Sequence, residues 1–412
     1  MRILLVNYRY FISGGPERYM FNIKRVLEEN GHEVIPFSIH SNKNIETPYS
    51  KNFVEPIGSR DAVYFDECKK TPKVICQMLS RSIYSFGVKR AIQREIDDVK
   101  PDVVYIIHFI NKLSPSVIRG AKQRGVPVVQ RLSDYFMLCP RFDFLRDRRV
   151  CEDCLTKGLG ECVKHRCVKG SLFASLVRVF SMKVHQWIHV YDDVDAFITP
   201  SRFLRQKLID NGYPAEKIHC VPTFTADTSG IAAKTGDYGL YLGRISEEKG
   251  VDTLVRAYEG LPDHKLLIAG DDTTDEAKRL KAYIEEHGIR NIEFTGFKSG
   301  DALKELVAGC RFTVIPSIWY ENLPNSALES YRYGKPILAS NIGSMPEAVP
   351  DGETGLLFTP GSADDLREKI LRMDDDARLA RMSARSAQWL AERFSEEKHY
   401  ETLMEIMQSV RR

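Results

Sequence analysis

The stretch "WYENLPNSALESYRYGKP", residues 319–336, sets two carboxylates eight positions apart, Glu321 and Glu329, with Pro324 between them. A proline suits the first turn of a helix, where its missing N–H costs nothing. Glu321 then lies in the loop ahead of that helix, and Glu329 about 7 Å further along its axis at 1.5 Å per residue. The free N–H groups at the helix start, and its dipole, favour an anion between the two acids. The order acid, anion site, acid fits a nucleotide sugar: hydroxyl-rich sugar, diphosphate, hydroxyl-rich ribose. The competing reading is a helix-start acid and an ordinary surface glutamate. On either side stand apolar runs, "RFTVIP" before and "KPILAS" after, so the stretch is the loop and helix of a strand–helix–strand unit.

Units of this kind fill the chain. "RILLV", "DVVYII", "PVVQRL", "DAFITP" and "KIHCVP" read as buried parallel strands in its first part. "YGLYLG", "KLLIAG", "NIEFTG", "RFTVIP", "KPILAS" and "GLLF" form a second series. Helical patterns alternate with them, one from about Pro16 to Glu29 with a stop at Asn30-Gly31, another opening on Ser201 as N-cap. The expectation is an α/β protein of two Rossmann-like, doubly wound domains facing across a cleft. At 412 residues the chain is long enough for two cores. The boundaries expected are 1–222, a linker over 223–237 that is small, polar and aperiodic, 238–394, and a final helix over 395–412 with Tyr400, Leu403, Met404 and Met407 on one face.

Two further stretches suit phosphate. "YRYFISGGPERY" puts Gly14 and Gly15 between a strand and a helix, where backbone N–H groups can approach an anion, although a turn with no ligand is as common. "YLGRISEEKG" sets Gly243 and Arg244 at a strand end and Lys249 five residues later. A guanidinium fork and an ammonium can neutralise a diphosphate, or they are two solvated cations beside Glu247 and Glu248. No G-x-G-x-x-G or P-loop pattern is present, so a dinucleotide and the P-loop phosphate site are disfavoured.

With these motifs in order, the whole chain resembles the retaining glycosyltransferases of family 4, which have the GT-B fold, and in particular those of bacterial cell-surface polysaccharides. "ENLPNSALE" is similar to that family's E-x7-E motif, "YLGRISEEKG" to its diphosphate clamp, and "GGPE" to its glycine loop. "NIGSMPEAVPDGETGLLF" looks like the stretch that follows the motif. The resemblance implies that Arg244, Lys249 and Glu321 carry catalysis. It implies donor contacts from Gly14, Gly15, Gly243, Asn322, Leu323, Pro324, Asn325 and Glu329, with Glu321 at the donor sugar and Glu329 at the ribose. It also implies that the last helix returns to the first domain. One departure stands out. Family members often carry a His before an acid at a first-domain strand end, and this chain has "RLSDYF", with Ser133 before Asp134. Ser133 can hydrogen-bond a sugar hydroxyl but cannot be a cation. His108, at another strand end, is a second acceptor-side candidate, against the commoner reading of a structural His.

An insertion over about 139–170 holds Cys139, Cys151, Cys154, Cys162 and Cys167. The last four, as C-x2-C-x7-C-x4-C, are candidate ligands of one structural zinc, with His165 as a spare. Free thiols are the alternative, with an iron–sulfur cluster the less favoured reading. Next comes "GSLFASLVRVFSMKVHQWIHVY", in which Leu172, Leu176, Phe180 and Trp187 recur at helical spacing with Arg178 and Lys183 nearby. Residues 141–190 hold ten Lys/Arg against five Asp/Glu. This helix either packs on the first domain or lies on an anionic leaflet.

Composition narrows the class. Charged residues are 28% and the net charge is +3, too small to argue for nucleic acid. No apolar run spans a membrane, and "MRILLVNYRY" reads as a strand and not a signal peptide, so the expected location is the cytoplasm, with peripheral contact at the inner face of its membrane as an option. The reaction expected is sugar transfer from a nucleotide-diphosphate sugar to a saccharide or lipid-linked saccharide, without a catalytic metal. The acidic pairs Asp192-Asp193 and Asp271-Asp272 read as caps or turns. The rivals are a sugar-nucleotide epimerase of the same fold and a non-catalytic sugar-nucleotide-binding protein.

Overall fold

A computed structural model of the chain describes residues 1–59, 69, 71–225 and 236–411. Most of the stretch expected to be a linker, 223–237, lies outside the described residues. The strands are β1 (Arg2–Asn7), β2 (Glu33–Phe37), β3 (Val103–His108), β4 (Val128–Arg131), β5 (Leu145–Arg146), β6 (Arg149–Val150), β7 (Ala196–Thr199) and β8 (Ile218–Cys220). They continue with β9 (Tyr238–Leu242), β10 (Lys265–Ala269), β11 (Ile292–Gly296), β12 (Phe312–Ile315), β13 (Ile337–Ser340) and β14 (Gly355–Phe358). Two six-stranded parallel sheets result, in the orders β2-β1-β3-β4-β7-β8 and β11-β10-β9-β12-β13-β14. β5 and β6 form a separate antiparallel hairpin inside the Cys-rich insertion.

Each central strand is apolar on both faces because each sheet is covered on both sides. Along β1, Leu4 and Val6 enter one core while Ile3 and Leu5 enter the other. β3 divides likewise, Val104 and Ile106 against Val103, Tyr105 and Ile107. β2 carries Pro36, which a ladder tolerates at a sheet edge, and β2 is the edge. In the second sheet Tyr241, Ile268, Val314 and Leu338 share one core.

The helix Asp376–Arg393 sends Leu390 into the second domain's core with Phe394 just beyond its end. The chain then crosses over. The helix Glu396–Ser409 buries Leu403, Met404, Ile406 and Met407 against the first sheet, beside Ile3, Tyr19 and Tyr105. Its His399 bonds Tyr19 Oη at 2.9 Å through Nε2 and the Pro222 carbonyl at 2.7 Å through Nδ1. Burial pushes this imidazole down to about 3, so it stays neutral and serves as a fixed hydrogen-bonding link. Among the described residues no helix is long and apolar enough to cross a membrane.

Candidate active site

In open parallel sheets a ligand crevice forms beyond the carboxyl ends of strands, where neighbouring strands wind in opposite directions. The second sheet reverses between β9 and β12, the first between β1 and β3. Gly243, Arg244 and Lys249 follow β9, and residues 317–324 follow β12. Gly14 and Gly15 follow β1, and His108 ends β3. Sequence order scatters these residues; topology delivers them to the two reversal points.

Lys249 and Glu321 meet there. Lys249 Nζ lies 2.6 Å from Glu321 Oε1 and 5.1 Å from the centre of the Trp319 ring. Ser317 Oγ at 2.6 Å and Trp319 Nε1 at 2.8 Å donate to the same Oε1. Among the described residues, Oε2 has no hydrogen-bond donor. Burial pushes the carboxyl up, but the Lys249 charge and the bonds from Lys249, Ser317 and Trp319 outweigh it, so the group is held below the usual Glu range. Ser317 and Trp319 carry no motif, and the sequence reading did not find them. The Lys249 loop is pressed onto the Glu321 loop at Gly250, whose φ is +66° and where a Cβ would sit 1.9 Å from the Pro316 carbonyl oxygen. A backbone bond from Ile318 N to Glu248 O at 3.0 Å ties the same two loops.

Arg244 is not brought to this pair. Its side chain is 70% exposed and its guanidinium lies 3.1 Å from Glu248 Oε1. Gly243, with φ +152°, packs its carbonyl so closely on Gly270 that a Cβ there would come within 2.2 Å.

The helix Asn325–Arg332 opens without a side-chain cap; Ala327 N bonds the Pro324 carbonyl at 3.0 Å, while among the described residues the N–H groups of Asn325 and Ser326 have no partner and can meet a ligand. Pro324 stands at the N-cap with extended backbone, ψ 135°, one position before the first turn in which its sequence places it. Facing this start is the glycine loop: a Cβ on Gly15 would lie 3.4 Å from Asn325 Nδ2. Four residues past Gly14, Arg18 reaches across to Glu329, 3.6 Å from its Oε1. Arg18 was missed because nothing in one domain's sequence marks its partner in the other. Burial pushes the Glu329 carboxyl up, with Arg18 and Arg332 pulling the other way. Asn322 Oδ1 accepts from Ser201 Oγ at 3.1 Å, while its buried Nδ2 has no partner among the described residues. Leu323 packs its side chain on the adjoining core, which leaves its backbone at the loop.

On the first-domain side, His108 Nε2 is 3.3 Å from Asp134 Oδ2, in a geometry that makes no hydrogen bond, and both ring nitrogens are buried with no hydrogen bond among the described residues. Asp134 Oδ1 accepts from Phe136 N at 2.9 Å. Ser133 is half-buried beside it. Tyr135 Oη reaches the Glu321 carbonyl at 3.4 Å, joining this segment to the donor loop. The insertion also crosses the cleft: Glu152 Oε1 accepts from Lys207 Nζ at 2.6 Å and from Tyr320 Oη at 2.7 Å. Glu347 spans it too, accepting from the N–H groups of Arg202 and Phe203 at 2.9 Å each.

The candidate zinc thiols all lie in this insertion. Cys162 is fully buried, and burial pushes Cys154 up to about 12 and Cys162 up to about 11, with neighbouring thiols adding to the shift. Four thiolates around one zinc stand about 3.8 Å apart, as follows from a 2.3 Å Zn–S bond. Among the described residues no three cysteine sulfurs come within 4.8 Å of one another; the trio that does is Asp153, Glu161 and His165. Asp153 is paired with Arg146 and Lys157, and Glu161 with Lys164, so that trio is neutralised by its own cations.

Two facing doubly wound domains, with a paired acid and lysine at one reversal point and a glycine loop at the other, define the GT-B class of glycosyltransferases. Anabaena HepE, solved in complex with UDP-glucose, shares this fold: TM-score 0.67, 16% identity, 99% of this chain and 100% of that one. Residues 14–223 match the Glycosyl transferase 4-like domain and residues 227–389 the Glycosyl transferases group 1. The chain belongs to this family of GT4-type glycosyltransferases. Sulfoquinovosyl transferase SQD2 of Arabidopsis thaliana is 25% identical over 93% of the chain and 68% of its own length. An uncharacterized glycosyltransferase of Methanocaldococcus jannaschii is 29% identical over 50% of the chain, which spans 56% of that protein. The serotype-specific mannosyltransferase WbdA of Escherichia coli is 26% identical over 70% of the chain, which spans 35% of it.

Proposed function

We propose that the protein moves a hexose-type sugar from a nucleotide-diphosphate sugar to a saccharide hydroxyl, with retention at the anomeric carbon, in the building of a surface polysaccharide. The observation that carries this reading is Glu321, fixed on Oε1 by three donors at a sheet reversal point, with no donor to Oε2 among the described residues. In this scheme Glu321 Oε2 accepts from a hydroxyl of the donor sugar and Glu329 from the ribose. The diphosphate lies between them, over the N–H groups of Asn325 and Ser326 at the helix start and against Gly14 and Gly15.

As the glycosidic C–O bond breaks, its electron pair passes to the diphosphate oxygen. Lys249 stabilises that charge, joined by Arg244 once it exchanges Glu248 for phosphate. The acceptor oxygen attacks from the same face and gives its proton to the departing oxygen. The products are glycosylated acceptor and nucleoside diphosphate, and no protein nucleophile or catalytic metal takes part. Asp134, Ser133 and His108, whose ring nitrogens have no hydrogen bond among the described residues, hold the acceptor hydroxyls. The UDP-glucose bound by HepE and the sugar transfers named for SQD2 and WbdA support a nucleotide-sugar donor; the saccharide acceptor, lipid-linked in its fuller form, is part of the proposal.

A panel of nucleotide sugars, incubated with and without saccharide acceptors, tests it. Free nucleotide together with glycosylated acceptor of unchanged anomeric configuration is expected. Epimerised nucleotide, or tight binding without turnover, would overturn the proposal.

A further inference from the structure

We propose that the helix Leu172–Trp187 and the helix packed beside it, Pro72–Ile83, form a docking face for an anionic lipid leaflet. The first helix is turned inside out. Ser175, Arg178, Ser181 and His185 point inward and are buried, whereas Leu172, Phe173, Leu176, Phe180 and Trp187 are 48–80% exposed. At about 100° per residue those five fall within one arc of about 100°. A helix on a soluble surface presents the opposite face.

Hydrogen bonds fix this orientation. Ser175 Oγ accepts from Val168 N at 3.1 Å, and His185 Nε2 bonds the Ile83 carbonyl at 2.7 Å. The Arg178 guanidinium donates to the Phe136 carbonyl at 2.9 Å and the Pro140 carbonyl at 3.3 Å. Arg178, which on sequence alone counts among the cations of a membrane helix, is therefore a buried anchor. Rotating the helix to hide its apolar stripe would orphan every one of these groups, which a buried polar group strongly resists. The stripe faces outward because the interior binds the other side.

Charge selects the occupant. Residues 162–191 contain no Asp or Glu, and Lys164, Arg166, Lys169 and Lys183 are exposed there. Residues 71–94 contain none either, with Lys73, Arg90 and Arg94 exposed alongside Ile75 and Phe86. Arg90 and Arg94, with Gly87, Gln93 and Arg124, line a surface hollow of about 390 Å³, in which Arg124 is already paired with Asp97 at 2.7 Å. Lys183 lies within the apolar arc, where its stem can lie among acyl chains with the ammonium at the phosphates. A second copy of this chain would set the same basic face against itself, whereas an anionic bilayer complements both the apolar and the positive surface. Arg178 also holds the carbonyls of the segment that follows Asp134, so a docked helix would present the acceptor side to the leaflet.

Co-sedimentation with vesicles tests this without reference to sugar transfer. Wild type should bind phosphatidylcholine vesicles containing about 30% phosphatidylglycerol, bind pure phosphatidylcholine far less, and release as salt is raised. The triple variant Phe173→Ser/Phe180→Ser/Trp187→Ser should bind at least about tenfold more weakly, with unchanged melting temperature and unchanged nucleotide release with a soluble acceptor. Trp187→Ser alone, at the most exposed position, should show a smaller loss in the same direction. Arg166→Glu/Lys183→Glu should lose at least about tenfold on anionic vesicles only. Wild type that ignores anionic vesicles overturns the proposal. So does a triple variant that binds as wild type does, or a vesicle-indifferent wild-type dimer that the triple variant dissociates.

Discussion

Lys249 and Glu321, 72 residues apart in the chain, meet at 2.6 Å across two loops of the second domain, on the one oxygen that Ser317 and Trp319 also hold. The three donors fix the carboxylate's rotation and direct its other oxygen elsewhere. The pair is largely buried, so each partner depends on the other for its charge.

Lys249→Ala should lower kcat by at least about 10²-fold, as the loss of one donor to a developing oxyanion does. Steady-state kinetics on the folded variant check this. Near-normal turnover would remove Lys249 from the diphosphate.

Glu321→Gln should lower stability at neutral pH by roughly 3 kcal/mol, the low end for breaking a buried pair. The folded-state pKa of Glu321 is depressed. Its contribution is therefore present above the ordinary Glu value of about 4.3 and lost as pH falls through the lower, folded value. Melting curves of wild type and variant should converge in acid. An offset that is constant with pH would mean that lost packing, not charge, is responsible.

Glu329→Gln should behave oppositely. Burial raises the folded-state pKa of this carboxyl, so its ionised form costs stability above that value, and the cost vanishes as pH falls below about 4.3. The variant should melt higher than wild type at neutral pH while binding the nucleotide, with or without its sugar, more weakly. Glu321→Gln should chiefly weaken the intact sugar donor. Calorimetry with nucleotide and nucleotide sugar separates the two, and the reverse pattern would turn the ligand end for end.

Gly250→Ala should lose sugar transfer and stability together, because its Cβ would press within 1.9 Å of the Pro316 carbonyl and drive the Lys249 loop off the Glu321 loop. Gly288→Ala has the same left-handed backbone, φ +63°, but open space around it. It should cost about 1 kcal/mol and spare activity. Equal losses of activity in both would place the defect in backbone strain and not in the loop contact.

For the thiols, elemental analysis should find about one zinc per chain, with Cys151, Cys154, Cys162 and Cys167 drawn together as thiolates. Cys154→Ser should keep nucleotide binding and lose transfer to acceptor, because the insertion reaches the cleft through Glu152 and Tyr320. Fully active, zinc-free protein would leave these cysteines as packing residues.

The sequence by itself determined most of the strands, though not β2, which Pro36 interrupts, nor the short β5–β6 hairpin. A run such as "RILLV" buried on both faces has no other stable place than the middle of a covered parallel sheet, and the named runs of both series became strands. It also determined the spacing of Glu321 and Glu329, since a loop and one short helix leave their separation little freedom. Only the tertiary structure decided which groups from distant segments share the site. Lys249 found Glu321 while Arg244 stayed with Glu248; Arg18 found Glu329 and Ser201 found Asn322. Those pairings depend on strand order and on the closeness of two domains, and neither leaves a periodic trace along the chain. The helix Leu172–Trp187 shows the division within one element. Spacing set its two faces, but which face turned inward was decided by the carbonyls of Phe136, Pro140 and Ile83, which accept from Arg178 and His185.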